Sequence, residues 1–128
     1  MVARAETLTQ LLLQLDAIPG VSGAEDEVAE YVKGVLEGCY DAFHRDALGN
    51  HSFTKEGRNP ELGIMLAAHM DEVGFAIHHV DEKGFAFITP VGLHDDRTLA
   101  NQILAVHTES GLVRALTGGK PAHSVSQK

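Results

Sequence analysis

The feature that most constrains the fold is an uninterrupted apolar run at residues 64–68, Ile-Met-Leu-Ala-Ala, which is followed at once by His69 and then Asp71. The run is far too short to cross a membrane. A half-exposed strand alternates apolar and polar residues, whereas a strand covered on both faces is apolar throughout. We therefore predict a buried strand at residues 64–68 and an α/β fold around it.

Two amphipathic helices are predicted before this strand. Residues 6–15 carry leucines at helical spacing, and residues 25–37 carry a second apolar stripe that ends at Gly38. The spacing of Ser22 and Glu25 matches a capping box, in which each side chain bonds a free backbone N–H at the start of a helix. The second helix is therefore expected to begin with a capped first turn.

Short strands joined by turns account for most of the remaining sequence. Alternating apolar and polar residues predict strands at residues 39–46, 50–55, 75–80, 85–89, 103–108 and 112–116. The pattern of predicted elements changes near His69, from helices and a buried strand before it to short strands with tight turns after it. We accordingly divide the chain into a helix-and-sheet part at residues 1–73, a small β module at residues 74–118 and a flexible tail at residues 119–128, which is rich in glycine, proline and serine.

The charge and cysteine content narrow the possible partners and compartments. Ten basic and eighteen acidic residues give a net charge of −8, and the basic residues form no run. Such a surface repels phosphate backbones and anionic lipids, so we expect neither nucleic acid nor membrane as a partner. The single cysteine, Cys39, has no second cysteine to pair with, and the first residues lack an export-signal pattern. We therefore expect a cytoplasmic protein.

The residues that most strongly indicate chemistry follow the apolar run. Ligands and metal ions collect at the carboxyl ends of strands in α/β sheets, and His69 ends the predicted strand. A neutral imidazole nitrogen suits a zinc-type ion. Asp71 lies two residues further on and hence on the same side of an extended chain, where it can accept the other ring N–H and fix the tautomer. The alternative is that His69 is a structural histidine at the edge of the core and Asp71 begins a turn.

Other histidines and carboxylates carry weaker patterns. His78 and His79 are adjacent on a predicted strand, so their rings are expected on opposite faces. His94 precedes two aspartates in a loop, a pattern that fits either a weak metal site or a solvated turn. Side chains alternate between the two sides of an extended chain, so the Glu72 side chain is expected to point away from those of His69 and Asp71, and we predict a structural role for it.

A resemblance to a known family begins at the same segment. Residues 68–75, Ala-His-Met-Asp-Glu-Val-Gly-Phe, resemble a motif of the dinuclear-metal aminopeptidases, the family of the glutamyl, deblocking and tetrahedral aminopeptidases. Some members of that family carry an older label of endoglucanase or cellulase. Further landmarks are similar in order and spacing: Ile-Pro-Gly-Val-Ser-Gly-Ala-Glu at 18–25, Asp-Ala-Leu-Gly-Asn at 46–50 and Gly-Lys-Pro-Ala-His at 119–123. The sequence departs from the family at Leu93 and Asn101, where glycine is common.

The resemblance implies a fold and a chemistry. The fold is the N-terminal part of a metallopeptidase α/β sandwich at residues 1–73, followed by the start of an inserted β-barrel-like module. The chemistry is that of a metal-dependent aminopeptidase, which removes N-terminal residues from peptide substrates with two divalent ions, zinc or cobalt. His69 matches the family's first metal ligand, and Asp71 matches the catalytic carboxylate that orients it. The module implies a homo-oligomer, from a dimer up to a large hollow assembly.

The same resemblance implies that the other metal ligands and the general-base glutamate follow the inserted module. We therefore expect these 128 residues to be inactive alone, with activity requiring the rest of the catalytic domain. The alternative is a non-catalytic, β-rich interaction or oligomerisation protein derived from such a peptidase. A glycosidase is disfavoured, because that chemistry needs two carboxylates facing a sugar site and the sequence singles out no such pair.

Overall fold

The computed structural model describes residues 5–118, and these form two compact units that meet in sequence between Gly92 and Leu93. The expected tail and the landmark at residues 119–123 lie outside the described residues. The predicted division after residue 73 stays a prediction. In the described part of the chain, no helix has the length and apolar character needed to cross a membrane.

Both predicted helices are present in the first unit. Helix α1 covers Ala5–Asp16 and helix α2 covers Asp26–Val35. Val28 and Ala29 on α2 are the buried apolar side chains of the described residues. Gly38, just beyond α2, has a φ of +76°, the left-handed conformation that glycine adopts without a steric cost.

The predicted capping box at the start of α2 is wrong. Glu25 occupies the N-cap position, and among the described residues no side chain caps the helix. The Glu25 carboxylate instead accepts the N–H of Gly23 at 2.7 Å. Asp26 and Glu27 place negative charge in the first turn, where it interacts favourably with the helix dipole. The Ser22 hydroxyl is therefore available for a different partner.

Strands β1, Ala42–Arg45, and β2, His51–Thr54, form an antiparallel hairpin, as predicted but with shorter strands. The Asp46 carboxylate closes the turn by accepting the backbone N–H groups of Leu48 and Asn50, both at 2.9 Å. Gly49 has a φ of +88° in this turn. A carboxylate that accepts backbone bonds two and four residues ahead is a local signal, which is why the sequence located this hairpin correctly.

Strands β3, Gly74–Val80, and β4, Ala86–Val91, form a second antiparallel hairpin, which also matches the prediction. The register shifts between Ile77 and His79, so His78 is the extra residue of a bulge. The rings of His78 and His79 both approach the Phe87 ring, at centroid distances of 6.3 and 5.5 Å. The predicted placement of the two rings on opposite faces is therefore wrong, because a bulge interrupts the alternation of side chains.

The predicted buried strand at residues 64–68 is wrong for the part of the chain that the structure describes. Residues 62–71 form no helix or strand, and the side chains of Ile64, Met65 and Leu66 are 82–92% exposed. A strand requires neighbouring strands to bond its backbone, and none of the described strands lies beside this run. The mixed helix and strand composition is confirmed, whereas the described residues form only two-stranded sheets.

The second unit contains a short 3₁₀ helix, Asp96–Thr98, and a hairpin of strands β5, Ile103–Thr108, and β6, Gly111–Leu116. Both strands were predicted. Asn101, which stands where the family commonly has glycine, has a φ of +62°. Asparagine tolerates this left-handed conformation better than most residues, so the departure from the family pattern keeps the backbone geometry.

Candidate functional site

The His69 side chain is exposed, and the described residues bond only one of its two ring nitrogens. It is 85% exposed, and its Nδ1 lies 3.0 Å from both the backbone oxygen and the Oδ1 of Asp71. Both partners are acceptors when Asp71 is ionised, so Nδ1 carries the proton and donates it. The lone pair of the neutral ring is then on Nε2, which is the nitrogen free to bind a metal ion.

The Asp71 carboxylate joins two parts of the chain that are far apart in sequence. Its Oδ1 faces His69, and its Oδ2 accepts the hydroxyl of Ser22 at 2.5 Å. The Ser22 hydroxyl holds the pKa of Asp71 below the ordinary aspartate value, and bonds from the Asp71 backbone and from His69 act in the same direction. Asp71 is therefore ionised at neutral pH, as the assigned tautomer of His69 requires.

Glu72 anchors the loop that carries Ser22. Its backbone N–H donates to the oxygen of Gly20 at 2.8 Å, and its Oε1 accepts the Gly20 N–H at 3.1 Å. Val21 and Glu72 also form a parallel β-bridge. These contacts agree with the predicted structural role of Glu72, although the sequence could not supply the partner.

Two glycines permit the close packing around this loop. A Cβ at Gly20 would come within 2.7 Å of the Val28 side chain, and a Cβ at Gly74 would overlap the side chain of Val21. A side chain at Gly74 would therefore push Val21 and its loop away from residue 74, whereas a side chain at Gly20 would push the loop away from α2. Gly74 thus permits the close approach of two landmarks of the sequence, and Gly20 permits the packing of the loop on the helix.

A cavity of about 690 Å³ lies beside this site in the first unit. Its lining includes His69, Asp71 and Glu72 together with Val28 of α2 and His51 of β2. Both ring nitrogens of His51 are buried without a hydrogen-bond partner among the described residues, and its ring packs edge-on against Phe43 at 5.0 Å. The cavity gives the exposed His69 ring an open volume large enough for a small molecule.

The described residues do not by themselves form a complete metal site. No group of three His, Cys, Asp or Glu side chains arranged to hold a metal ion occurs among them. Asp95 lies in the loop after His94, for which the sequence left a weak metal site open. Its carboxylate accepts hydrogen bonds from Nε of Arg97 at 2.9 Å and from a terminal guanidinium nitrogen of Arg97 at 2.6 Å. This ion pair favours the solvated-turn interpretation of the loop after His94 over a metal site.

Ser22 is the site residue that the sequence interpretation missed. Its spacing to Glu25 suggested a helix cap, and its true partner is 49 residues away. No local pattern signals a bond over that separation. The family resemblance did mark both segments as landmarks, and this was the only indication that they could belong together.

Comparison with known proteins gives a consistent set of relatives. A family model described as M42 glutamyl aminopeptidase matches residues 49–128. The lysyl aminopeptidase of Pyrococcus furiosus is 32% identical over 115 residues, which are 89% of this chain and 33% of that protein. This chain thus spans about a third of the length of such relatives.

Solved structures with the same fold include an aminopeptidase from the archaeon Desulfurococcus kamchatkensis, with 36% identity and a TM-score of 0.82. That match covers 93% of this chain and 33% of the archaeal one. The TET1 peptidase of Pyrococcus horikoshii, described as assembling into a tetrahedron or a large octahedral shell, has 30% identity and a TM-score of 0.74, covering 94% and 36%. A Thermotoga maritima protein labelled endoglucanase has 33% identity and a TM-score of 0.75, covering 84% and 33%.

Proposed function

This chain belongs to the M42 glutamyl aminopeptidase family, and we therefore propose that the full-length protein is a metal-dependent aminopeptidase. It would remove the N-terminal residue from peptide substrates by hydrolysing the first peptide bond. The observation that carries the proposal is the state of His69, whose Nδ1 is held by Asp71 while no described residue bonds its Nε2 beside a cavity. An exposed histidine fixed at one nitrogen by a carboxylate is the arrangement that metal sites use repeatedly.

The proposed cofactor is a pair of divalent ions, zinc or cobalt. His69 would hold one ion through Nε2, and the remaining ligands would come from outside the described residues. A bound ion of this kind supplies an activated water for hydrolysis near neutral pH. The proposed role of Asp71 is to keep the proton on Nδ1 and to raise the basicity of Nε2. Glu72 takes no part in this chemistry, since its carboxylate anchors the loop at Gly20.

The decisive experiment is a peptide-hydrolysis assay on the full-length protein. We expect release of the first residue from peptides with a free N-terminus, and no cleavage when the N-terminus is acetylated. A chelator should remove the activity, and added zinc or cobalt should restore it, because the nucleophile depends on the ion. Cleavage that persists after complete metal removal, or cleavage within acetylated peptides, would contradict the proposal.

We also propose that the protein forms a homo-oligomer, from a dimer up to a large hollow assembly. Many apolar side chains of the described residues are exposed, among them Leu66 at 92% and Leu93 at 96%. Exposed apolar surface and unpaired strand edges favour association. The same observation supports the second candidate function, a non-catalytic β-rich interaction protein. A cytoplasmic location stays a prediction.

Sedimentation and hydrolysis, measured on the same preparation, separate these two functions. We expect the full-length protein to sediment as a discrete oligomer and to hydrolyse peptides. An oligomer that shows no hydrolysis with either metal would support the interaction protein. A monomer at micromolar concentrations would contradict the proposed assembly, whatever its activity.

A further inference from the structure

We propose that Ser22 is a positioning residue for His69, acting through Asp71. Its hydroxyl holds one carboxylate oxygen, so that the other is turned toward the imidazole and, together with the Asp71 backbone oxygen, keeps the proton on Nδ1. The inference deepens the proposed function, since it rests on His69 being a metal ligand. It assigns a role to a residue that the sequence indicated as a helix cap and as part of a family landmark.

The geometry divides the two carboxylate oxygens between two partners. The Ser22 hydroxyl donates to Oδ2 at 2.5 Å, and Nδ1 of His69 lies 3.0 Å from Oδ1. The Asp71 side chain is 40% exposed, and the terminal torsion of an aspartate has a broad, soft profile. Without the hydroxyl, water would compete for Oδ2 and the carboxylate could turn. The His69 ring, which is 85% exposed, has little other packing to hold it.

Ser22 is itself well placed to act as a fixed donor. The residues on both sides of it are bonded: Gly20 exchanges two hydrogen bonds with Glu72, and the Gly23 N–H donates to Glu25. The backbone N–H of Ala24 also donates to the oxygen of Val21 at 2.8 Å. A donor on a loop fixed in this way loses little conformational entropy when it bonds Asp71, which strengthens its hold on the carboxylate.

The competing explanation is that Ser22 stabilises the start of α2. The structure does not favour this explanation, because α2 begins at Asp26 and Glu25 occupies the N-cap position. The Ser22 hydroxyl is directed to the Asp71 carboxylate instead. Ser22 therefore belongs to the His69 site rather than to the helix.

The test uses the full-length protein with its metal removed and compares three serine variants. Ser22→Ala should weaken Co²⁺ binding by about tenfold, the lower end of the range for residues that support a metal ligand. In the metal-free protein, ¹⁵N chemical shifts of His69 at neutral pH should show a larger fraction of the tautomer protonated at Nε2. Ser22→Thr, which keeps the hydroxyl, should restore the Co²⁺ affinity and the tautomer fraction of the wild type. Ser52→Ala on β2, an exposed serine away from the cavity, should change neither.

Two measurements keep this inference separable from the proposed function. If Ser22→Ala fails to fold, Ser22→Cys keeps the side-chain size with a poor donor and should show the same losses. Co²⁺ affinity and ¹⁵N shifts identical to the wild type in Ser22→Ala would overturn the positioning role. The tautomer measurement needs no bound metal and no activity, so it tests Ser22 even if the protein proves not to be a peptidase.

Discussion

Replacing His69 with alanine should abolish metal-dependent peptide hydrolysis by the full-length protein while leaving its fold almost unchanged. The loss should be about a thousandfold or more, because an ion contributes several kcal/mol to the transition state and each 1.36 kcal/mol is tenfold in rate. The fold should persist because the side chain is 85% exposed and its described hydrogen bonds go only to Asp71. Substitutions of exposed residues usually change the free energy of unfolding by less than about 0.5 kcal/mol.

The measurement is the rate of hydrolysis together with thermal unfolding monitored by circular dichroism. His107→Ala is the matched control, since His107 is an exposed histidine on β5 and takes no part in the site. We expect the control to keep full activity. Unchanged hydrolysis in His69→Ala would refute the ligand role, whereas a large fall in the unfolding temperature would mean that the ring is a structural element of the core edge.

Replacing Asp71 with asparagine should weaken metal binding by about 10–100-fold, the effect typical of a residue that orients a metal ligand. The amide keeps the size of the side chain but has no charge, and one of its two terminal groups is a donor. A donor facing Nδ1 would require that nitrogen to accept, which moves the ring proton to Nε2 and blocks the metal. Loss of the carboxylate charge alone would also lower the basicity of the imidazole.

Titration of the metal-free variant with zinc or cobalt measures this effect. Asp26→Asn removes the same charge from an exposed aspartate on α2 that pairs with Arg45, so it is a control for net charge. We expect it to bind metal like the wild type. An unaltered titration in Asp71→Asn would count against the orienting role, even if activity fell.

The direction of the Asp71 pKa shift sets the pH dependence of this contact. The Ser22 hydroxyl holds the pKa of Asp71 below the ordinary value, so the carboxylate bonds are fully present above the pKa of an unfolded aspartate. They are lost only as the pH falls through the lowered value. Asp71 therefore adds no pH dependence to stability near neutral pH.

Features that depend on residues close together in the chain could be predicted from the amino-acid sequence. Helix α2 follows from an apolar stripe and from the glycine that closes it, and the β1–β2 hairpin follows from Asp46 and Gly49. The contact between His69 and Asp71 was also predictable, because residues two apart on an extended segment lie on the same side. Periodicity and turn chemistry carry this information within a few residues.

The contacts between distant segments, in contrast, became known from the folded chain. It gave the Ser22 hydroxyl to Asp71 rather than to α2, and it anchored Gly20 on Glu72. It also left the apolar run at residues 64–68 outside any strand. The three cases have a common cause. A hydroxyl, a carboxylate or the backbone of a strand requires a hydrogen-bond partner, but which partner it meets depends on how the whole chain folds.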